Sequence, residues 1–288
     1  MITEKDELNE QLVVVSELAR KSLIDEVSTT PKPGLVDRNN NGSHTDMDIF
    51  TFINSANSLK PYFYKFAEYG YNTANENERK ILPDARIIGM EAEKAMYGAT
   101  GNINTHKGMV FSGGLICVSV GRLLALGEKV CIDNICDVVR KITCGISDRD
   151  FSVKKQPEKM TGGEKIYAEY GIKGPRGEAE SGFSTIRNFS YPFMKEHIEN
   201  GMNREEVNVR TLLYIMSVAN DTNIINRGGI LSADWVRKKA KSLVYSEIDL
   251  IERFDKELIG KNLSPGGSAD MLAITLFILA LEEYFSKK

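Results

Sequence analysis

Apolar positions recur at helical intervals almost from the start of the chain. Leu8, Leu12, Val15, Ala19 and Leu23 stand three or four residues apart, the spacing of one helix face, and predict a first helix ending near Val27. Asp46 or Asp48 is placed to open a second helix through Phe50, Ile53 and Leu59, with Pro61 expected to kink or break it and Gly70 to stop it. Pro83 suits the first turn of a third helix, Asp84 to Tyr97. The stretch from Lys107 to Gly127 is apolar on nearly every face, as a helix in the middle of a bundle would be. Its small residues Ser112, Gly113, Gly114, Ser119 and Gly121 would let neighbouring helices come close. A further helix covers Ile132 to Cys144.

From Ser147 to Gly182 the periodicity fails, and the Gly-rich, charged sequence predicts a long ordered loop, with Tyr167 and Tyr170 favouring order. Helical spacing returns at Asn203, where Asn203 and Glu206 fit an N-cap and its reciprocal partner. That helix runs through Leu212, Leu213, Ile215, Met216 and Ala219 and stops at "NDTNIINRGG". A long helix from Ser232 to Leu258 follows, and the last carries Met271 to Tyr284 after "SPGGSAD". Trp235 and the cluster Tyr62, Phe63, Tyr64 and Phe66 are expected in the core. No stretch alternates as a strand, and there is no internal repeat, linker or low-complexity segment. The expectation is one all-α domain over residues 1–288, with unusually polar connections.

The overall charge narrows the function. A formal net charge of −3 supplies no global attraction to nucleic acid or a membrane surface, so neither is expected as a partner. "MITEKDELNE" is too acidic for a secretory or transit peptide, and the apolar run from Met271 to Leu281 is too short to cross a bilayer. Cys117, Cys131, Cys136 and Cys144 show no C-x-x-C spacing and read as free, mostly buried thiols of a cytoplasmic protein.

Five polar clusters interrupt the helices: "TTPKPGLVDRNNNGSHTDMD", "TGNINTHKG", "GPRGEAESGF", "NDTNIINRGG" and "LSPGGSAD". The first belongs to the segment Glu26–Asp48, which has few apolar residues, is costly to order and is expected to bury little. Capping explains Asn, Asp, Ser and Gly at helix ends. It does not call for Lys32, Asp37, Arg38, His44, Lys107, Arg176, Glu178 and Arg227 as well. Helix N-termini suit phosphate, Gly lets backbone approach a ligand, and Lys and Arg add full charges. Carboxylates among them would repel phosphate unless a cation bridges, and Mg²⁺ is the usual bridge. The mixture therefore suggests a polyphosphate–Mg²⁺ ligand. His44 and His106 fit no zinc spacing and are better read as hydrogen-bonding to substrate or loop, whereas His197 reads as solvent-facing. There is no G-x-x-x-x-G-K-[ST] and no G-x-G-x-x-G after a strand, so a nucleotide would bind by another route.

"EVSTTPKPGLVDRNNNGSHTDMD", "NTHKG", "GPRGEA", "DTNIINRGG" and "SPGGSADMLA" resemble, in order, the signature segments of the triphosphoribosyl-dephospho-CoA synthases, from about Leu23 to Ala273. The resemblance implies an all-α transferase. It would move the 5-triphosphoribosyl group of ATP to the 2′-hydroxyl of 3′-dephospho-CoA and release adenine. The product would be the prosthetic-group precursor for the acyl carrier protein of citrate lyase or malonate decarboxylase, passed to a separate transferase.

Cleaving the ribose–adenine bond has glycosidic character, with an oxocarbenium-like transition state. A base for the attacking hydroxyl is worth typically about 10²–10⁴-fold. On that basis Asp37, Asp46, Glu178 and Asp221 are the candidate catalytic carboxylates, and Asp37, Asp46 and Asp48 the candidate Mg²⁺ ligands. Lys32, Arg38, His44, His106, Lys107, Arg176 and Arg227 are candidate substrate contacts, with Gly266, Gly267 and Ser268 as an anion cradle near Asp270. A Mg²⁺-dependent phosphohydrolase and a non-catalytic nucleotide- or CoA-binding protein use the same residue types and stay open, and a homo-oligomer is compatible with the sequence.

Overall fold

The computed structural model describes residues 4–152 and 156–287, whose only regular elements are helices, with no strand among them. In chain order the helices are α1 (Glu4–Ser28), α2 (Ile49–Asn72), α3 (Ile81–Ala99), α4 (Lys107–Ala125), α5 (Ile132–Thr143), α6 (Ile146–Phe151), α7 (Gly162–Tyr170), α8 (Gly174–Glu180), α9 (Tyr191–Glu199), α10 (Arg204–Val218), α11 (Thr222–Leu243), α12 (Ile248–Gly260) and α13 (Gly266–Phe285). The all-α expectation holds. The chain divides into two compact units. One comprises Met1–Asp25, Phe50–Cys144 and Ala273–Lys288, the other Glu26–Ile49 and Gly145–Leu272.

In the first unit the apolar face of α1 is buried as its spacing predicts, with Leu12, Val15, Ala19 and Leu23 at most 3% exposed. Each such side chain contributes about 1.5–3 kcal/mol. Pro61 does not break α2, because Leu59, Phe63 and Phe66 on either side of it are buried and hold both halves against the core. Gly70 does not end α2 either. A Cβ there would lie 2.0 Å from the Val118 carbonyl oxygen, and one at Gly121 would lie 1.9 Å from that of Ala67. These glycines exist for the contact of α2 with α4. Helix α4 passes a length and composition test for crossing a membrane, but 78% of its apolar window is buried inside the protein, as in a core helix. Arg122, buried near its end, donates to the carbonyl oxygens of Thr73, Ala74 and Glu76 and so closes the end of α2. Tyr62 and Tyr64 are only half-buried, unlike Phe63 and Phe66. The cysteines form no disulfide among the described residues; Cys117 and Cys136 are buried and Cys144 is exposed.

The second unit departs more from expectation. The predicted 147–182 loop holds the short helices α6, α7 and α8; residues 153–155 of it lie outside the described residues. Thr161 and Glu164 form a full capping box at the start of α7. Helix α10 does stop where "NDTNIINRGG" begins, but the next helix starts there and not at Ser232: Asp221 caps α11, which runs through the motif with a kink at Gly229 (φ 76°, ψ 177°). The predicted Ser232–Leu258 helix is broken between Leu243 and Ile248, where no Gly or Pro marks the turn. Asn203 caps α10 as expected, but the Glu206 carboxylate turns to Arg210 instead of back to the cap. Trp235 is half-buried, edge-on to Phe254.

Candidate active site

The segment after α1 is the most ordered of the polar clusters. Residues 31–37 are all buried, against the expectation that this segment buries little. Its order comes from Asp37. One carboxylate oxygen accepts the N–H groups of Asn39 (2.7 Å) and Asn40 (3.0 Å), and the other accepts that of Lys32 (3.0 Å). A carboxylate satisfying several buried backbone donors is an organising group. Asp37 is thus turned into its own loop. Ser43 Oγ donates to the Leu263 carbonyl oxygen (2.6 Å), and His44 Nε2 lies 2.9 Å from Ser264 Oγ.

Lys32 is also occupied. Its ammonium is buried and pairs with the buried Glu26 carboxylate at 2.5 Å. Burial pushes the Glu26 carboxyl upward, against the pull of Lys32. Asp221 accepts the N–H groups of Asn223 (2.9 Å) and Ile224 (3.3 Å) at the start of α11. It also accepts Ser268 N–H (2.7 Å) and Ser268 Oγ–H (2.9 Å) at the start of α13. Burial still raises its carboxyl above the ordinary range, the donors offsetting part of the effect. Where an anion cradle is expected at Gly266, Gly267 and Ser268, the donors of Ser268 are taken by Asp221. A Cβ on Gly267 would stand 3.1 Å from that carboxylate, and one on Gly266 2.8 Å from Asn223 Nδ2.

Asp270, one turn into α13, differs from these. It is half-buried and has no hydrogen-bond partner among the described residues. Burial raises its carboxyl well above the ordinary range, and the nearby Glu26 and Asp221 charges raise it further. A carboxyl held well above its ordinary range, uncommitted and partly accessible, is suited to proton transfer.

The other candidates spread around this core of the unit. Arg38 is exposed and pairs with Glu205 at the start of α10. Arg227 is exposed and donates to Ser43 O (3.0 Å) and Asn262 Oδ1 (3.1 Å), beside His44. Burial and the Arg227 charge lower the His44 pKa, keeping its ring neutral beside Asp46, 3.7 Å away. Asp46 itself is 59% exposed. Arg176 pairs with Asp150 at 2.7 Å and lies over the Phe151 ring, which stacks on Tyr167. Glu178 accepts Thr185 N–H and Oγ–H at the π-helical turn Ile186–Ser190. His197, expected in solvent, stacks half-buried on Phe193.

Four of the five polar clusters fall in this unit, and "TGNINTHKG" falls in the first. There the buried His106 ring meets Ser55 Oγ through Nδ1 (2.7 Å), and Lys107 pairs with Glu93 (2.9 Å). Asp37, Asp46 and Asp48 do not gather. Among the described residues no three His, Cys, Asp or Glu side chains are arranged to hold a metal ion. Sequence reasoning passed over Glu26, Asn40, Asp255 and Ser264. Glu26 reads as the end of an amphipathic helix, and Asp255 as a solvent position of one. Asp270 stood inside a quoted motif without a role.

This unit is a helical scaffold whose Gly-rich connections gather buried carboxylates, a buried lysine and exposed arginines. The family model for ATP:dephospho-CoA triphosphoribosyl transferases (CitG) matches residues 13–288, and the chain belongs to that family. A relative from Vibrio cholerae, named "Probable 2-(5''-triphosphoribosyl)-3'-dephosphocoenzyme-A synthase", is 40% identical over 279 residues, 94% of this chain and 89% of its own. One of the same name from Streptococcus equi subsp. zooepidemicus is 37% identical over 284 residues, 93% of this chain and 96% of its own. A solved structure titled "Crystal structure of putative triphosphoribosyl-dephospho-coA synthase from Archaeoglobus fulgidus" aligns with TM-score 0.48 at 16% identity, covering 79% of this chain and 97% of that one.

Proposed function

We propose that this enzyme transfers the 5-triphosphoribosyl group of ATP to the 2′-hydroxyl of 3′-dephospho-CoA and releases adenine. The product would be the prosthetic-group precursor for the acyl carrier protein of citrate lyase or malonate decarboxylase, delivered in the cytoplasm to a separate transferase. The family match over residues 13–288 carries this reading.

The chemistry assigns roles to the side chains left open. The C1′–N9 bond breaks with its electron pair staying on adenine, and the protonated Asp270 carboxyl supplies the proton the leaving base needs. The 2′-hydroxyl oxygen closes on C1′, and its proton passes to solvent, from which Asp270 is reloaded. Positive charge on the sugar is favoured by the acidic surroundings of Glu26 and Asp221. Mg²⁺ belongs to the substrate here, arriving on the triphosphate and needing only one or two protein carboxylates. Asp46 is the open one of the three assigned from sequence. Arg38, Arg176 and Arg227 reach phosphate by exchanging their present acceptors. Asp37, Lys32 and Asp221 hold the site's shape.

The test is incubation of the protein with ATP, Mg²⁺ and 3′-dephospho-CoA, followed by mass-resolved chromatography. Free adenine with the conjugate is expected. Phosphate without adenine would replace this reading with phosphohydrolysis, and binding without turnover would replace it with a carrier role.

A further inference from the structure

The segment between α1 and α2 is held from outside by one residue that no motif points to. Asp255 lies in α12 and is 7% exposed. One of its carboxylate oxygens accepts Gly34 N–H at 2.8 Å, and the other accepts Asn40 Nδ2–H at 2.9 Å. Asn40 cannot turn its amide over. Its Oδ1 accepts Gly42 N–H (2.7 Å), its N–H goes to Asp37 Oδ1 (3.0 Å), and its carbonyl oxygen accepts Asp37 N–H (3.0 Å). With the amide so fixed, the group opposite Asn40 Nδ2 has to be an acceptor. Asp255 must accept on both oxygens to hold Gly34 and Asn40 together.

We propose that Asp255 is a positioning residue for the reaction, fixing through Gly34 and Asn40 the loop conformation in which Arg38 and Asp46 meet the magnesium-bound triphosphate. The inference rests on the functional reading above. Burial and the facing Asp37 charge push the Asp255 carboxyl upward, while the Gly34 and Asn40 bonds and the neighbouring Lys256 oppose them. Its two-acceptor form is therefore lost sooner on acidification than an ordinary carboxylate's would be.

Asp255→Asn copies the protonated group, since it still accepts from Gly34 but sets one amide NH₂ against another at Asn40. The expected result is a rise in KM for MgATP on the order of tenfold to a hundredfold, the range of a lost buried charged hydrogen bond. The rise expected in wild type on acidification should be absent in this variant. Asn40→Asp should also fail, by facing two carboxylates. The swapped pair, Asn40→Asp with Asp255→Asn, restores all three hydrogen bonds, with only the one between the two side chains reversed, and should recover KM. A purely structural role predicts recovery of melting temperature without recovery of KM. Unchanged KM in Asp255→Asn, or a folded swap that stays impaired, overturns the proposal. If Asp255→Asn does not fold, Asn40→Ala removes the same contact from the loop side, and an unchanged KM there is equally fatal. If wild type releases no adenine, the functional reading fails, and amide exchange at Gly34 decides the positioning claim. Equal protection in wild type and Asp255→Asn would overturn it.

Discussion

Glycine and small polar residues do opposite work in the two units. Around α4 they let backbone meet backbone, with Gly70 and Gly121 placed where a Cβ would overlap a carbonyl oxygen of the other helix. Cohesion there comes from apolar burial and close packing. Around residues 26–44 and 221–270 they free space for carboxylates that accept main-chain N–H groups, and cohesion comes from charge-assisted hydrogen bonds between buried groups. Similar sequence composition thus builds a packed core in one place and an ion-lined site in the other. The second is costly, because each buried charge has to be matched.

The sharpest way to break this contrast is Lys32→Ala. It leaves Glu26 buried and unpaired near Asp270, and a loss of about 3–5 kcal/mol in urea unfolding is expected. Pairing Lys32→Met with Glu26→Leu should recover most of it. A loss below about 1 kcal/mol, the range of surface pairs, would mean that water reaches the ion pair and that the interior is not dry. Next in size is Gly121→Ala in the other unit. Overpacking of about 1–3 kcal/mol is expected as a lower melting temperature, with KM unchanged in the protein that stays folded. An unshifted melting temperature would show that α2 and α4 slide apart freely.

The smallest stability effect has the opposite sign. The native Asp270 carboxyl titrates above its unfolded value, so between those two values the native state binds more protons than the unfolded chain. The raised value costs stability in full above the native pKa, and the cost fades as pH falls from the native value to the unfolded one. Asp270→Asn should therefore raise the melting temperature above the native value, with the gain fading on acidification, while kcat falls. A variant that is destabilised, or that turns over normally, removes Asp270 from the proton-transfer role.

These residues also show what sequence patterns carry. The helices α1, α4 and α10 are legible because their apolar positions decide their packing. Helices α6 to α8 are not, since helices of 6 to 9 residues offer too few periodic positions and α7 and α8 begin on glycines. The capping box at Thr161 and Glu164 was the readable signal there. The motif residues were found, but their partners were not. Whether Asp37 faces a ligand or its own backbone depends on where Lys32, Asn39 and Asn40 aim their N–H groups. Asp255 reaches the loop from more than two hundred residues away in sequence, a separation of 215 from Asn40. No periodicity records such a pairing.

Asp221 has one more implication. Two helix starts share its carboxylate, so the positive ends that would attract free phosphate already have a tenant, tethered to the protein and never diluted. A dissolved anion competing for those N–H groups faces a rival at the effective concentration of an intramolecular group, on the order of millimolar or higher. Ordinary cellular phosphate is thereby screened out of that spot. On the proposed reaction, recognition of a triphosphate would fall instead to side chains that can let go of their present partners, and exchange of ion pairs would become the toll gate for substrate entry.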